Sequence, residues 1–129
     1  MNEPVWITRE VVLATQAALL ERFGGLPGLR DEGLLDSALH RPHQLLAYGQ
    51  PSLCELAAAY AAGIVRNHPF LDGNKRIGFM TAYIFLEANG LHFAASEEGV
   101  ALQTLALAAG ELDEAAFAAW LLESCPAGE

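Results

Sequence analysis

Apolar residues recur at helical spacing in successive stretches of this chain, and the residues between them are turn formers. From Thr8 to about Phe23 the pattern predicts a helix, with Thr8 as N-cap and Gly24-Gly25 as the stop. A turn-rich connector, GGLPGLRDEG, leads to a short helix predicted around Glu32 to His40, after which RPHQLLAYGQPS breaks regularity with two prolines and a glycine. That segment, about Arg41 to Ser52, reads as a loop or small flap. Ser52 followed by Glu55 is a capping-box pattern opening an Ala-rich helix to about Arg66. Pro69 and Gly73 bracket a non-helical turn, and the next helix runs from near Asn74 to Asn89. It is apolar nearly all round from Ile77 to Leu86, which suits the buried central helix of a bundle. Ser96 to Ala109 and Asp113 to Ser124 supply two more amphipathic helices.

Strand signals are confined to LHFAA and to a hairpin-like flap near Leu45 to Tyr48. The expected fold is therefore all-α, a helical bundle with a short flap. With 129 residues, 53% of them hydrophobic, the chain suits one domain over 1–129 with a single core.

Charge narrows the function. Seven Lys+Arg against sixteen Asp+Glu give a formal charge of -9, so a nucleic-acid backbone meets general repulsion. Cys54 and Cys125 lie far apart in sequence and suggest neither a CxxC metal motif nor a disulfide framework, which points to a reducing cytoplasm. MNEPVWITREVV lacks the basic and apolar regions of a secretory leader, and runs such as LAAAYAAGIV are too short to cross a bilayer. His40 and His43 suggest a metal pair, but Pro42 is expected to spoil their helical register and no third ligand is apparent.

Against this acidic background one stretch stands out, NHPFLDGNKRIGF, residues 67–79. Lys75 and Arg76 fall at the start of a helix, the end whose dipole repels cations. Between Glu55 and Glu87 the only acid is Asp72, so the segment is locally positive. Backbone N–H groups at a helix start, preceded by Gly73, make an anion cradle, and added Arg and Lys suit a phosphate. Asp72 beside phosphates is a hard ligand for Mg²⁺. His68 is the best candidate general base. Arg66 is either a further cation of this group or simply a favourable charge at a helix C-terminus. Phe79, Met80, Tyr83 and Phe85 read as core, and Gly78 as a site of close helix packing.

The run HPFLDGNKR resembles the active-site loop of Fic/Doc proteins, whose Fic pattern is H-P-F-x-D/E-G-N-G-R-x-x-R and whose Doc variant carries Lys in place of the third small residue. The upstream run GGLPGLRDEGLLDSALHRP is similar to a segment of death-on-curing toxins, and the resemblance spans the chain from about Val5 to the last helix. It implies that His68 deprotonates a target hydroxyl, that Asp72 binds Mg²⁺, and that Gly73, Asn74, Lys75 and Arg76 hold nucleotide phosphates, with Phe70 anchoring the loop. Phe79 stands where the Fic pattern has its second arginine, a phosphate contact in adenylyl-transferring Fic enzymes.

The Doc-like variant implies kinase chemistry, in which the γ-phosphoryl group of ATP moves to a protein hydroxyl and Lys75 neutralises the transferring group. The target known for that variant is a threonine of elongation factor Tu, whose modification arrests translation. Two other readings stand beside it: Fic-type AMP transfer, and a catalytically silent phosphate- or partner-binding module. The inhibitory motif [S/T]-x-x-x-E-[G/N] of many Fic enzymes has no match, because Glu32-Gly33 and Glu98-Gly99 have Gly28 and Ala94 four residues before the glutamate. A brake in trans is then implied: a cognate antitoxin whose folded-on-binding segment covers a groove of the bundle.

Overall fold

The computed structural model describes residues 3–126. Six helices follow in order: α1 (Arg9–Phe23), α2 (Glu32–Tyr48), α3 (Leu53–Asn67), α4 (Asn74–Ala88), α5 (Glu97–Ala109) and α6 (Glu114–Glu123). No strand occurs among the described residues, where pairing outside helices is limited to one antiparallel bridge between Leu29 and Phe70. The fold is all-α, as the pattern predicts. None of these helices is long and apolar enough to cross a membrane.

α3 is the axis. Its residues from Leu56 to Val65 are buried without exception, because an Ala-rich sequence lets helices close in on every side. Two glycines set that distance. A Cβ on Gly63 would stand 3.0 Å from the Cβ of Ala38 in α2, and one on Gly78 would stand 2.7 Å from Cγ2 of Val65 in α3. The close-packing role expected of Gly78 is thus met where α4 crosses α3. The largest fully buried side chains, Tyr60, Phe70, Phe85 and Phe117, fill the space around α3. The Tyr60 hydroxyl accepts a hydrogen bond from the Ile7 N–H at 3.0 Å, while burial pushes the Tyr60 pKa up.

Two expectations fail here. The segment expected as a flap is helical up to Tyr48, and Pro42 lies inside α2. Proline at this point removes an N–H that would have bonded four residues back, a loss that ordinarily breaks a helix. Packing overrides it: Leu35, Ala38 and Pro42 are buried, and Leu39, Leu45 and Leu46 pack on the same core. An ion pair between Arg41 and Glu114 fastens this half of α2 to α6. His40 and His43 therefore keep helical register, with ring centroids 6.1 Å apart, and His43 stacks on Trp6 at 3.8 Å. No cluster of three metal-ligating side chains forms among the described residues. The second failure is LHFAA, which is irregular chain. Its Phe93 N–H donates to Oε2 of Glu87 and its Ala94 N–H to the Ser124 carbonyl.

Candidate active site

Five of the six helices begin under a side-chain cap. Thr8, Asp31, Ser52, Ser96 and Asp113 each accept a hydrogen bond from an N–H of the first turn that follows. α4 is the exception. Its N-cap is Gly73, in the left-handed region at φ 78°, with no side-chain cap and no acidic residue in the first turn. Its first N–H to find a carbonyl is that of Ile77, on Gly73. The N–H groups of Asn74, Lys75 and Arg76 are left without a partner inside the helix, and the dipole adds positive potential there.

The side chains deepen that potential. Of the seven basic residues, Arg9 pairs with Glu32 and Asp36, Arg41 pairs with Glu114, and Arg30 is spent on main-chain carbonyls. Arg22, Lys75 and Arg76 have no carboxylate within ion-pair distance among the described residues. Instead the guanidinium carbons of Arg76 and Arg22 lie 4.5 and 5.3 Å from the centre of the Phe23 ring. An aromatic face attracts a cation without neutralising it, so both charges stay available to an anion.

His68 is the residue that ends α3. It holds φ 50° and ψ 55°, the one left-handed non-glycine among the described residues, and its N–H closes on the Ile64 carbonyl at 3.1 Å. That conformation is uncommon and needs support from its surroundings. The support comes from the connector before α2. Arg30 donates from Nε to the His68 carbonyl at 2.7 Å and from Nη2 to the Asn67 carbonyl at 2.8 Å, capping α3 with a charged fork. The Arg30 and Asp31 N–H groups both donate to the Pro69 carbonyl, and the Leu71 N–H donates to that of Gly28. Pro69 and Phe70 are buried, so the loop hangs from the core at its middle and exposes His68 at one side and Asp72 at the other.

Asp72 leans over the same connector. Its Oδ2 accepts from the Leu26 N–H at 3.3 Å and its Oδ1 from the Gly73 N–H at 2.9 Å. A Cβ on Gly25 would stand 2.9 Å from that Oδ2, so the close approach requires glycine. Each oxygen keeps a lone pair and the residue is exposed, which leaves room for a cation shared with a phosphate. A single carboxylate beside phosphate oxygens and water is the usual protein share of a Mg²⁺ site, and the donor set fits it.

His68, Asp72, Gly73, Lys75 and Arg76 thus gather at the start of α4. Asn74 does so differently from expectation. Its amide is buried and bonded to the Phe70 main chain and to His68, so what it turns to an anion is its backbone N–H. Arg66 is exposed on the last turn of α3 and lines a groove of about 460 Å³ with Arg41, Leu45, Glu55 and Glu114; none of the loop's contacts involves it. Phe79, in place of an arginine, sits in an aromatic cluster with Tyr83, Phe93 and Trp120. Sequence reasoning missed Phe23, Gly25 and Arg30. The run GGLPGLR signalled turns, but which carbonyls and carboxylates it would meet is a matter of tertiary pairing.

The Fic/DOC family model matches residues 6–86, which take in the connector, the loop and α4 as far as Leu86. The chain is 34% identical over 113 residues to "Protein kinase doc" of Escherichia phage P1, covering 87% of this chain and 89% of that one. It is 42% identical over 93 residues to "Toxin Doc" of Mycolicibacterium smegmatis, covering 70% of this chain and 68% of that one. The chain belongs to the Fic/DOC family.

Proposed function

We propose that this protein is the toxin of a toxin–antitoxin pair, a cytoplasmic enzyme that transfers the γ-phosphoryl group of ATP to a hydroxyl of a target protein. The observation that carries this reading is the uncapped start of α4, where unpaired backbone donors and unneutralised cations meet between His68 and Asp72. Its relatives named as a protein kinase and as a toxin support it.

The geometry supports a role for each residue. The N–H groups of Lys75 and Arg76 hold a phosphate, with Gly73 allowing close approach. The Arg76 guanidinium and the Lys75 ammonium offset charge on the transferring group, which passes through a loose transition state that asks mainly for positioning and electrostatics. Asp72 would hold a Mg²⁺ ion, which supplies charge neutralisation across the phosphate oxygens when bound. His68 accepts the proton of the attacking hydroxyl. Because Phe79 belongs to the aromatic cluster, the site lacks the second arginine associated with AMP transfer, and this favours phosphoryl over adenylyl transfer. The proposed target is a threonine of elongation factor Tu, with arrest of translation as the outcome and an antitoxin as the brake.

Incubation with elongation factor Tu and ATP labelled at the γ-position tests the reading. Label is expected in the target, and His68→Ala is expected to abolish it. Label arriving only from the α-position would establish AMP transfer instead. Growth arrest that persists unchanged in His68→Ala would leave a binding module rather than an enzyme.

A further inference from the structure

The contact between Nδ1 of His68 and Nδ2 of Asn74, at 3.3 Å, decides where the imidazole carries its proton. Its meaning depends on which way the Asn74 amide faces, and the main chain of Phe70 fixes that. The Phe70 N–H donates to Oδ1 at 3.0 Å, and Nδ2 donates to the Phe70 carbonyl at 3.0 Å. Turning the amide over would set oxygen against oxygen and N–H against N–H. Asn74 is 6% exposed, so water cannot repair either mismatch. Nδ2 has two hydrogens. One serves Phe70, and the other points at His68.

We infer that Asn74 is a positioning residue that sets the tautomer of His68. Facing a donor, Nδ1 must accept, so the neutral ring of the free protein carries its proton on Nε2. The imidazole then carries an N–H at its other nitrogen, and its one lone pair, on Nδ1, is engaged by Asn74. The functional half of this inference rests on the proposed transfer reaction. For His68 to take a hydroxyl proton at Nε2, the proton already there must leave to solvent and Nδ1 must gain one, an exchange that leaves the ring neutral. Nδ1 can hold that proton only away from the Asn74 amide. Of the two partners His68 is the one able to move, since it is exposed and makes one long side-chain contact, whereas Asn74 is buried under two shorter bonds. The free protein is therefore a resting form, and the base becomes competent when the imidazole turns off Asn74.

The test is two-bond ¹H–¹⁵N correlation NMR on the whole protein with ¹⁵N-labelled histidine, at a pH where the ring is neutral. Nδ1 of His68 is expected in the unprotonated range and Nε2 in the protonated range. Asn74→Asp keeps an acceptor for the Phe70 N–H but presents oxygen to the ring, and is expected to reverse the two signals. A wild-type spectrum with the proton on Nδ1 would overturn the inference whether or not the variant folds. So would a folded Asn74→Asp protein with an unchanged spectrum. Phosphoryl transfer is read separately: its absence alongside the expected tautomer would sink the proposed reaction and leave the tautomer assignment standing.

Discussion

Arg30→Ala removes the fork that caps α3 and leaves the Asn67 and His68 carbonyls to water. The wild-type bonds are short, 2.7 and 2.8 Å, and charged at the donor, a class worth about 1.5–3 kcal/mol each when desolvated. Arg30 is exposed, so rehydration returns much of that, and a total loss of about 1–2 kcal/mol is expected. For a domain of this size that lowers Tm by roughly 3–10 °C. The larger effect falls on transfer. His68 sits at φ 50°, a conformation that costs on the order of 1 kcal/mol and relaxes when its support is removed. A general base displaced by an ångström loses up to about 100-fold in rate. The measurements are urea unfolding and initial rates of γ-label transfer, made on wild type, Arg30→Ala and Arg30→Lys. The lysine variant reaches one carbonyl and should fall between the other two. Loss of stability with wild-type transfer in Arg30→Ala would refute the link from the clamp to His68.

Three other outcomes follow from the same geometry. Gly25→Ala sets a methyl 2.9 Å from Oδ2 of Asp72, at a residue with φ 119°, and should weaken Mg²⁺-dependent nucleotide binding by about ten-fold or more in calorimetric titration, beyond its effect on stability. Phe23→Leu keeps apolar bulk but removes the ring beneath Arg76, and should raise KM for ATP about two- to five-fold, with Phe23→Tyr restoring it. His43 titrates below its ordinary value because stacking on Trp6 desolvates it and His40 adds repulsion, partly countered by Glu3. Its folded pKa is thus below its unfolded one, so its share of stability is complete above about 6.5 and is lost as pH falls below that. His43→Gln should flatten the drop in Tm on acidification; an equally steep drop would contradict this.

Much of the bundle could be read from the chain because its signals are local. The caps at Thr8 and Ser52 and the stop at Gly24-Gly25 mark where helices begin and end, and each is a contact within a few residues. Arg41 to Tyr48 misled because the penalty of Pro42 is local while its compensation, burial against α3 and the ion pair to Glu114, is tertiary. The site divides along the same line. His68, Asp72, Lys75 and Arg76 lie within one turn and the helix it opens, so their nearness to one another is legible in the chain. Arg30, Gly25 and Phe23 act across gaps of 37 residues or more, and nothing local marks their partners. Asn74 shows a third case: its residue type suits phosphate, but burial commits its amide to Phe70 and His68.

The start of α4 is the proposed seat for a triphosphate, and a crystal structure with Mg²⁺ and a non-hydrolysable ATP analogue tests that seat directly. The expected density has a phosphate within hydrogen-bond distance of the Lys75 and Arg76 N–H groups, the Arg76 guanidinium turned onto it from Phe23, and the ion on Asp72. Nucleotide bound in the groove between α2 and α6 instead, with the α4 start bare, would contradict it.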